Sequence, residues 1–170
     1  MRLTVRGKRL IYSGGPSAPA ASLMDSKIIF NGTISTPGAQ FFCEDIKDYF
    51  LNIPMARYEY MNIPPCWFPQ DIIDRCKIMN LVEKYGFFYV EICKGVHVLK
   101  QAARIGFDRL VKLLKHHGYY PLRSNPGIWC HETLPTKSAF CVEIFGINYT
   151  NPAHAHHLVD TLKKILHNIH

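Results

Sequence analysis

The stretch that most constrains this chain is "SAFCVEIFGINYT", residues 138–150. Two short apolar strands flank a tight centre that holds one carboxylate, Glu143. Directly after them come Asn151 and Pro152, a good N-cap and a good first residue for a helix. Ala155, Leu158, Val159, Leu162, Ile165, Leu166 and Ile169 then recur at helical spacing, a continuous apolar stripe that predicts an amphipathic helix.

Read back toward the N-terminus, the chain alternates the same two patterns. Residues 13–19 read as a loop, and a short helix is expected over Ala20–Asn31 with Gly32 stopping it. "STPG" (35–38) is a turn, Ala39–Asp45 an apolar strand, and "ARYEYMNI" (56–63) a second strand after the break at Asn52–Pro54. Pro69 is expected to open a helix with Ile72, Ile73, Cys76 and Met79 on one face. "FFYVEIC" (87–93) reads as a strand. The helix "QAARIGFDRLVKLLKHHG" places Phe107, Leu110, Val111 and Leu114 on one side, with Gly118 at its end. "SNPG" (124–127) turns between two short strands. From residue 39 the order is strand, helix, hairpin, helix, interrupted by an insertion. That is a split βαβ pattern, so the expected class is α+β: an antiparallel, ferredoxin-like sheet with helices on one face.

Length allows one domain, or a fragment of a larger one. At 48% hydrophobic and 19% charged the chain suits a packed core. Its formal charge of +7 favours a polyanionic partner. Cys43, Cys66, Cys76, Cys93, Cys130 and Cys141 form no C-x-x-C pair and are expected to be buried, reduced thiols. "AHAHH" (154–157) with Cys130 and His131 suggests zinc, but those histidines also open an amphipathic helix, which explains them without a metal. With no membrane-length apolar run and no signal-peptide core, the expected setting is cytoplasm or nucleus, with no membrane partner.

Asp45 ends an apolar strand and Glu143 sits within an apolar hairpin. Two readings stay open from the residues alone. The acids are solvated strand ends, paired with Lys47 or Lys94. Alternatively, they gather on adjacent strands, where a cation such as magnesium must neutralise them.

Four blocks in order, "DIKDYFLNIPM" with "ARYEYM", "KGVHVLKQAAR", "HGYYPLRSNPGIW" and "FCVEIFGINYT", preceded by "NGTISTPGAQF", resemble the reverse transcriptase of copia-type LTR retrotransposon polyproteins. The resemblance spans roughly residues 2–170 and implies a polymerase palm (39–170) with a fingers-type insertion near 52–93, and a partial fingers segment at 1–38. It also implies that thumb and RNase H domains are missing from this stretch. By the resemblance, Asp45 matches the first catalytic aspartate, which binds both metals, and Ile46 the residue whose backbone carbonyl completes a metal's shell. Asp48 and Phe50 match residues beneath the incoming nucleotide, Phe50 being the bulky side chain that disfavours a ribose 2′-hydroxyl. Plain core packing would account for Phe50 equally well. Gln101 matches a glutamine that contacts the nucleotide, although its place at a helix start would otherwise read as surface. Arg2, in "RLTVRGKR", matches an arginine that grips the triphosphate.

The departures carry as much information as the matches. The family places apolar-Asp-Asp-Phe-Gly in the hairpin; "VEIFG" puts Glu143 at the first aspartate and Ile144 at the second. The extra methylene of Glu143 shifts its oxygens in a site that tolerates about 0.5 Å, and Ile144 cannot bind a metal. His97, Val98 and Ala103 stand where the family has tyrosine, glycine and often proline. The resemblance therefore implies an RNA-directed DNA polymerase that uses two Mg2+ (or Mn2+) ions, an RNA template, a DNA primer or RNA–DNA hybrid, and deoxynucleoside triphosphates, in a copy that is impaired or inactive. The alternatives are a non-catalytic nucleic-acid-binding remnant and an unselected reading frame whose product folds poorly.

Overall fold

The computed structural model describes residues 18–96 and 99–167. In chain order these form α1 (Leu23–Ser35), β1 (Gln40–Asp45), β2 (Pro54–Ile63), α2 (Gln70–Arg75), β3 (Phe88–Lys94), α3 (Lys100–Lys115), β4 (Tyr119–Pro121), β5 (Ile128–His131), β6 (Lys137–Cys141), β7 (Ile144–Tyr149) and α4 (Pro152–His167). The class is α+β. An antiparallel five-stranded sheet has the order β1-β7-β6-β5-β4, and β2 and β3 form a separate antiparallel ribbon. Because β7 runs against both β1 and β6, those two strands are parallel with β7 between them, and α3 lies on the connection from one to the other. No helix among the described residues is long and apolar enough to cross a membrane.

Alternation along the strands sorts residues between two apolar layers. Trp129, Phe140, Phe145 and Ile147 face α3 and α4, where they meet Phe107, Leu110 and Leu114 of α3 and Ala155, Leu158, Val159 and Leu162 of α4. The rings stack edge-on: Trp129 lies 5.8 Å from both Phe107 and Phe145. Such pairs add about 0.5–1.5 kcal/mol each beyond their buried area. Ile128 and Ala139 point the other way, into a smaller cluster with Ala21 and Ile29, flanked by Phe41. That second layer is roofed by α1. The expectation of helices on one face therefore holds for α3 and α4 and is corrected for α1, which packs on the opposite face of the sheet.

Two helix boundaries also differ from expectation. Helix α1 runs through Gly32 instead of stopping there. Its start is set by a reciprocal capping box, in which Ser22 Oγ accepts the Asp25 N–H and the Asp25 carboxylate accepts the Ser22 N–H. The Ser22 hydroxyl, which donates to the same carboxylate at 2.7 Å, and then the Ser22 N–H hold the Asp25 carboxyl below the usual carboxylate range. Helix α2 is only six residues long, because Lys77 turns left-handed at φ 49° and a 3₁₀ turn, Ile78–Leu81, follows. That break buries Ile78 in place of Met79, which stays exposed. Helix α4 begins as expected, with Asn151 Oδ1 accepting the Ala153 N–H at 3.0 Å. The cysteines do not match their expectation: Cys43, Cys66, Cys76, Cys93 and Cys141 are exposed and Cys130 is half-buried, all of them free thiols.

The insertion has a small core of its own, Ile63, Ile73, Ile78 and Phe88. It is rooted in the main body at Ile53 and Gly95, whose N–H donates to the Ile53 carbonyl at 2.7 Å. A Cβ at Gly95 would lie 2.7 Å from the Phe50 carbonyl oxygen, so glycine permits this close crossing of two chain segments.

Gly127 serves the same purpose under the lead-in to α1. A Cβ there would fall within 2.6 Å of Ala21 Cα and against its backbone nitrogen. The Ala21 N–H donates to the Phe140 carbonyl at 2.7 Å, and the Phe140 N–H to the Gly127 carbonyl at 2.8 Å. Gly127→Ala must displace this backbone and is expected to cost about 1–3 kcal/mol in urea unfolding; unchanged stability would show that the segment yields freely.

Candidate active site

Six consecutive register pairs join β1 to β7, the last of them Asp45 with Ile144. One residue further on, the Ile46 N–H donates to the Glu143 carbonyl at 2.9 Å. Asp45, Ile46, Glu143 and Ile144, which are far apart in sequence, thus meet at one end of the sheet. By strand alternation Asp45 shares the α1 side with Phe41 and Cys43. Glu44 points to the other side, where its carboxylate lies 3.9 Å from Lys163 Nζ of α4. Among the described residues neither Asp45 nor Glu143 forms an ion pair with Lys47 or Lys94.

The hairpin closes in two residues, since Cys141 pairs with Ile144 and leaves Val142 and Glu143 as the turn. Two-residue turns favour glycine, asparagine or aspartate at positive φ. Here Val142 takes φ 61°, an outlier for a β-branched residue. The Glu143 N–H donates to the Cys141 carbonyl at 2.8 Å, and the Ile46 N–H of the chain leaving β1 holds the Glu143 carbonyl on its other side. The surrounding bonds impose the strained turn on the valine. Val142 was not among the residues singled out from sequence. The signal was available, because two strand patterns that close on "VE" leave no glycine to take the left-handed position.

The other matched residues are placed as follows. Asp48 is exposed and has φ 54°, a conformation that Asp tolerates better than most residues. Phe50 lies in a 3₁₀ turn, Phe50–Asn52, buried in the main core and edge-on to Tyr49 at 5.2 Å. Gln101 is buried, correcting its reading as a surface residue at a helix start. Its amide donates to Glu59 Oε1 of β2 at 2.6 Å, tying α3 to the ribbon. Arg2, His97 and Val98 lie outside the described residues, as does Ile169 of the final apolar stripe.

The donors at the sheet end do not fit a pair of magnesium ions. Asp45 and Glu143 bring two carboxylates. The Ile46 carbonyl already accepts the Tyr49 N–H at 3.2 Å, and Asp45's partner Ile144 offers no donor. Among the described residues no group of three His, Cys, Asp or Glu side chains is arranged to hold a metal. Two of the candidate zinc histidines, His131 and His157, are hydrogen-bonded within the fold instead. His131 Nδ1 faces the Thr133 and Leu134 N–H groups at 3.1 and 3.0 Å, and its Nε2 lies 3.0 Å from the His117 carbonyl. Both ring nitrogens are engaged, which explains His131 without zinc. His157 Nδ1 shares a 2.8 Å hydrogen bond with Tyr119, whose hydroxyl burial holds protonated.

No protein-family model, no curated protein and no solved structure matches this chain.

Two outcomes follow from these local geometries. Val142→Gly removes a left-handed strain of about 1 kcal/mol and should raise the urea midpoint; a fall would mean that the valine side chain packs more than it strains. Desolvation against Tyr119, then the neighbouring His131, lowers the proton affinity of His157 below its ordinary value of 6.5. The unfolded chain therefore binds that proton more readily, so the contribution to stability is complete above pH 6.5 and declines as pH falls below it. His157→Gln should flatten the acid slope of the unfolding midpoint, and an unaltered slope would assign it to other groups.

Proposed function

We propose that this chain is a fingers–palm portion of a copia-type reverse transcriptase, an RNA-directed DNA polymerase whose nucleotide-adding site is impaired. The observation that carries the reading is the meeting of Asp45 with the "VEIFG" hairpin. The strand bearing "DIKDYF" ends in register with Ile144 and bonds to the Glu143 peptide. The resemblance demands that juxtaposition, which the split βαβ pattern of the residues only allows. In the intact family reaction a primer 3′-hydroxyl attacks a nucleotide's α-phosphate, and divalent magnesium or manganese supplies the charge stabilisation. In this chain Asp45 keeps an exposed carboxylate at the right strand end. Glu143 keeps a charge one methylene too long, and Ile144 supplies none.

The test is primer extension on an RNA template with deoxynucleoside triphosphates and magnesium or manganese. The natural chain should extend the primer at most weakly, while Glu143→Asp with Ile144→Asp should gain activity by at least about 100-fold, the scale on which charge-stabilising groups act. Efficient extension by the natural chain would overturn the claim of impairment. Absence of extension by both chains, with the restored one folded, would overturn the reading of this strand end as a polymerase site.

The same two substitutions favour a second reading, a non-catalytic remnant that still binds nucleic acid. A chain of net charge +7 acting this way should lose affinity for an RNA–DNA hybrid linearly in log salt. A flat salt dependence would count against it.

A further inference from the structure

The α1 face of the sheet is only partly roofed. Helix α1 lies over β1, β7 and β6, and the sheet continues beyond it to β5 and β4. One register row crosses all five strands on this face: Phe41, Asn148, Lys137, Cys130 and Tyr120. Phe41 packs under the helix against Phe30. Lys137, Cys130 and Tyr120 instead border a cavity of about 550 Å³ between α1 and the outer strands. That volume lies within the range of small-molecule sites, roughly 300–1,000 Å³. On the helix side it is lined by Ile28, Gly32 and the C-cap Thr36, spaced four residues apart on one stripe.

The fold alone does not account for this lining. Lys137 forms no ion pair among the described residues, and no Asp or Glu borders the cavity. The stretches outside the described residues contain no Asp or Glu that could supply a counter-charge. Burial pushes the Cys130 thiol up while Lys137 pulls it down, so the lysine's charge is felt at the cavity's Cys130 wall. Thr136 also lines the cavity and is only 6% exposed, yet its hydroxyl has no hydrogen-bond partner among the described residues. Gly32 sits inside a helix, where glycine is less favourable than alanine. Its φ is not left-handed and a Cβ there would meet nothing within 4 Å, so neither backbone nor packing calls for a glycine. What its missing side chain does is leave the helix wall of the cavity open.

We propose that this cavity binds a small organic carboxylate, a single anionic head on an apolar body. Lys137 supplies the charge for the head and the Thr136 hydroxyl a hydrogen bond to it. The body lies along Ile29, Leu134 and the Tyr120 ring. A single cation matches a monoanion, whereas a phosphate monoester carries nearly two charges at neutral pH and would be left half-neutralised. The site is preformed: Asn148 Nδ2 donates to Thr33 Oγ1, and Thr33 Oγ1 to the Ile29 carbonyl, which pins α1 to β7 beside the cavity. The row through Lys137 stands four residues, about 13 Å, from the row through Asp45. The proposal therefore goes beyond the polymerase reading and does not depend on it.

The experiment is a calorimetric titration of the full chain with octanoate and with octanamide, its uncharged match. Octanoate should bind about 10-fold tighter than octanamide, the scale of one hydrogen bond to a charged group. Lys137→Met should remove that advantage and leave octanamide binding unchanged. Lys84→Met, which deletes an exposed cation elsewhere, should bind both like the parent. Gly32→Leu should abolish binding of both by filling the cavity. It places a better helix former in open space, so its unfolding midpoint should not fall. Failure of the parent to bind octanoate overturns the proposal, as does equal affinity for octanoate and octanamide. A loss in Lys137→Met no greater than in Lys84→Met overturns the role of the lysine. Undiminished binding by a folded Gly32→Leu chain shows that the ligand sits elsewhere and overturns the site.

Discussion

Everything in this fold hangs on β7. It is hydrogen-bonded on both edges, to β1 along six residue pairs and to β6 along five. It is also buried on both faces over its middle. Phe145 and Ile147 enter the aromatic layer beneath α3 and α4, while Gly146 leaves room on the α1 side for the Phe41 ring, 2.7 Å from where a Cβ would stand. A one-residue slip of β7 would put Phe145 and Ile147 against α1 and leave the aromatic layer facing a gap. The register is therefore fixed by core packing. The chemistry-bearing residues at the strand's start inherit their positions from it.

That inheritance explains the strain at Val142. With β7 held at Ile144 and β6 at Cys141, only two residues remain to reverse the chain, and the first must turn left-handed whatever its side chain. Strain of this kind persists where the surroundings over-determine the backbone. The Ile46 to Glu143 hydrogen bond is the outer half of that constraint. A turn built in this way has its backbone fixed by the strands on both sides of it.

Much of this was legible in the sequence. Helices α3 and α4 announce themselves because their faces differ sharply in polarity, and β1 and the β6–β7 hairpin because they are short, largely apolar runs next to turn residues. Helix α1 was harder to read. Leu23, Met24, Ile28, Phe30 and Ile34 leave apolar residues on most sides, so no stripe tells which face meets the sheet, and Gly32 gives a false stop. Its opposite-face packing is decided by small residues elsewhere, Ala139 and Gly127, whose role depends on contacts far along the chain. Lys77 shows the same limit, since nothing in "DRCKIMN" marks a left-handed break. At the candidate site, the pairing of Asp45 with Ile144 was implied by likeness to a family. The burial of Gln101 against Glu59 was not foreseen, because both side chains are ordinary surface types until the ribbon folds over the start of α3.

The positions to which the resemblance assigns chemistry are ones the fold does not need. Asp45 is exposed, Glu143 is half-exposed, and Ile144 is 43% exposed at the sheet's rim. Substituting them changes little buried area, whereas Trp129, Phe140, Phe145 and Ile147 are almost wholly enclosed, and truncating any of them would cost several kcal/mol. Stability thus resides in residues other than those the proposed site would use. A chain under selection for folding alone, or under none for catalysis, would lose the rim first and keep the aromatic layer. In "FCVEIFGINY" the two kinds of residue alternate within a few positions: Phe140, Phe145 and Ile147 take the inward places, while Val142, Glu143 and Ile144 form the turn and the rim.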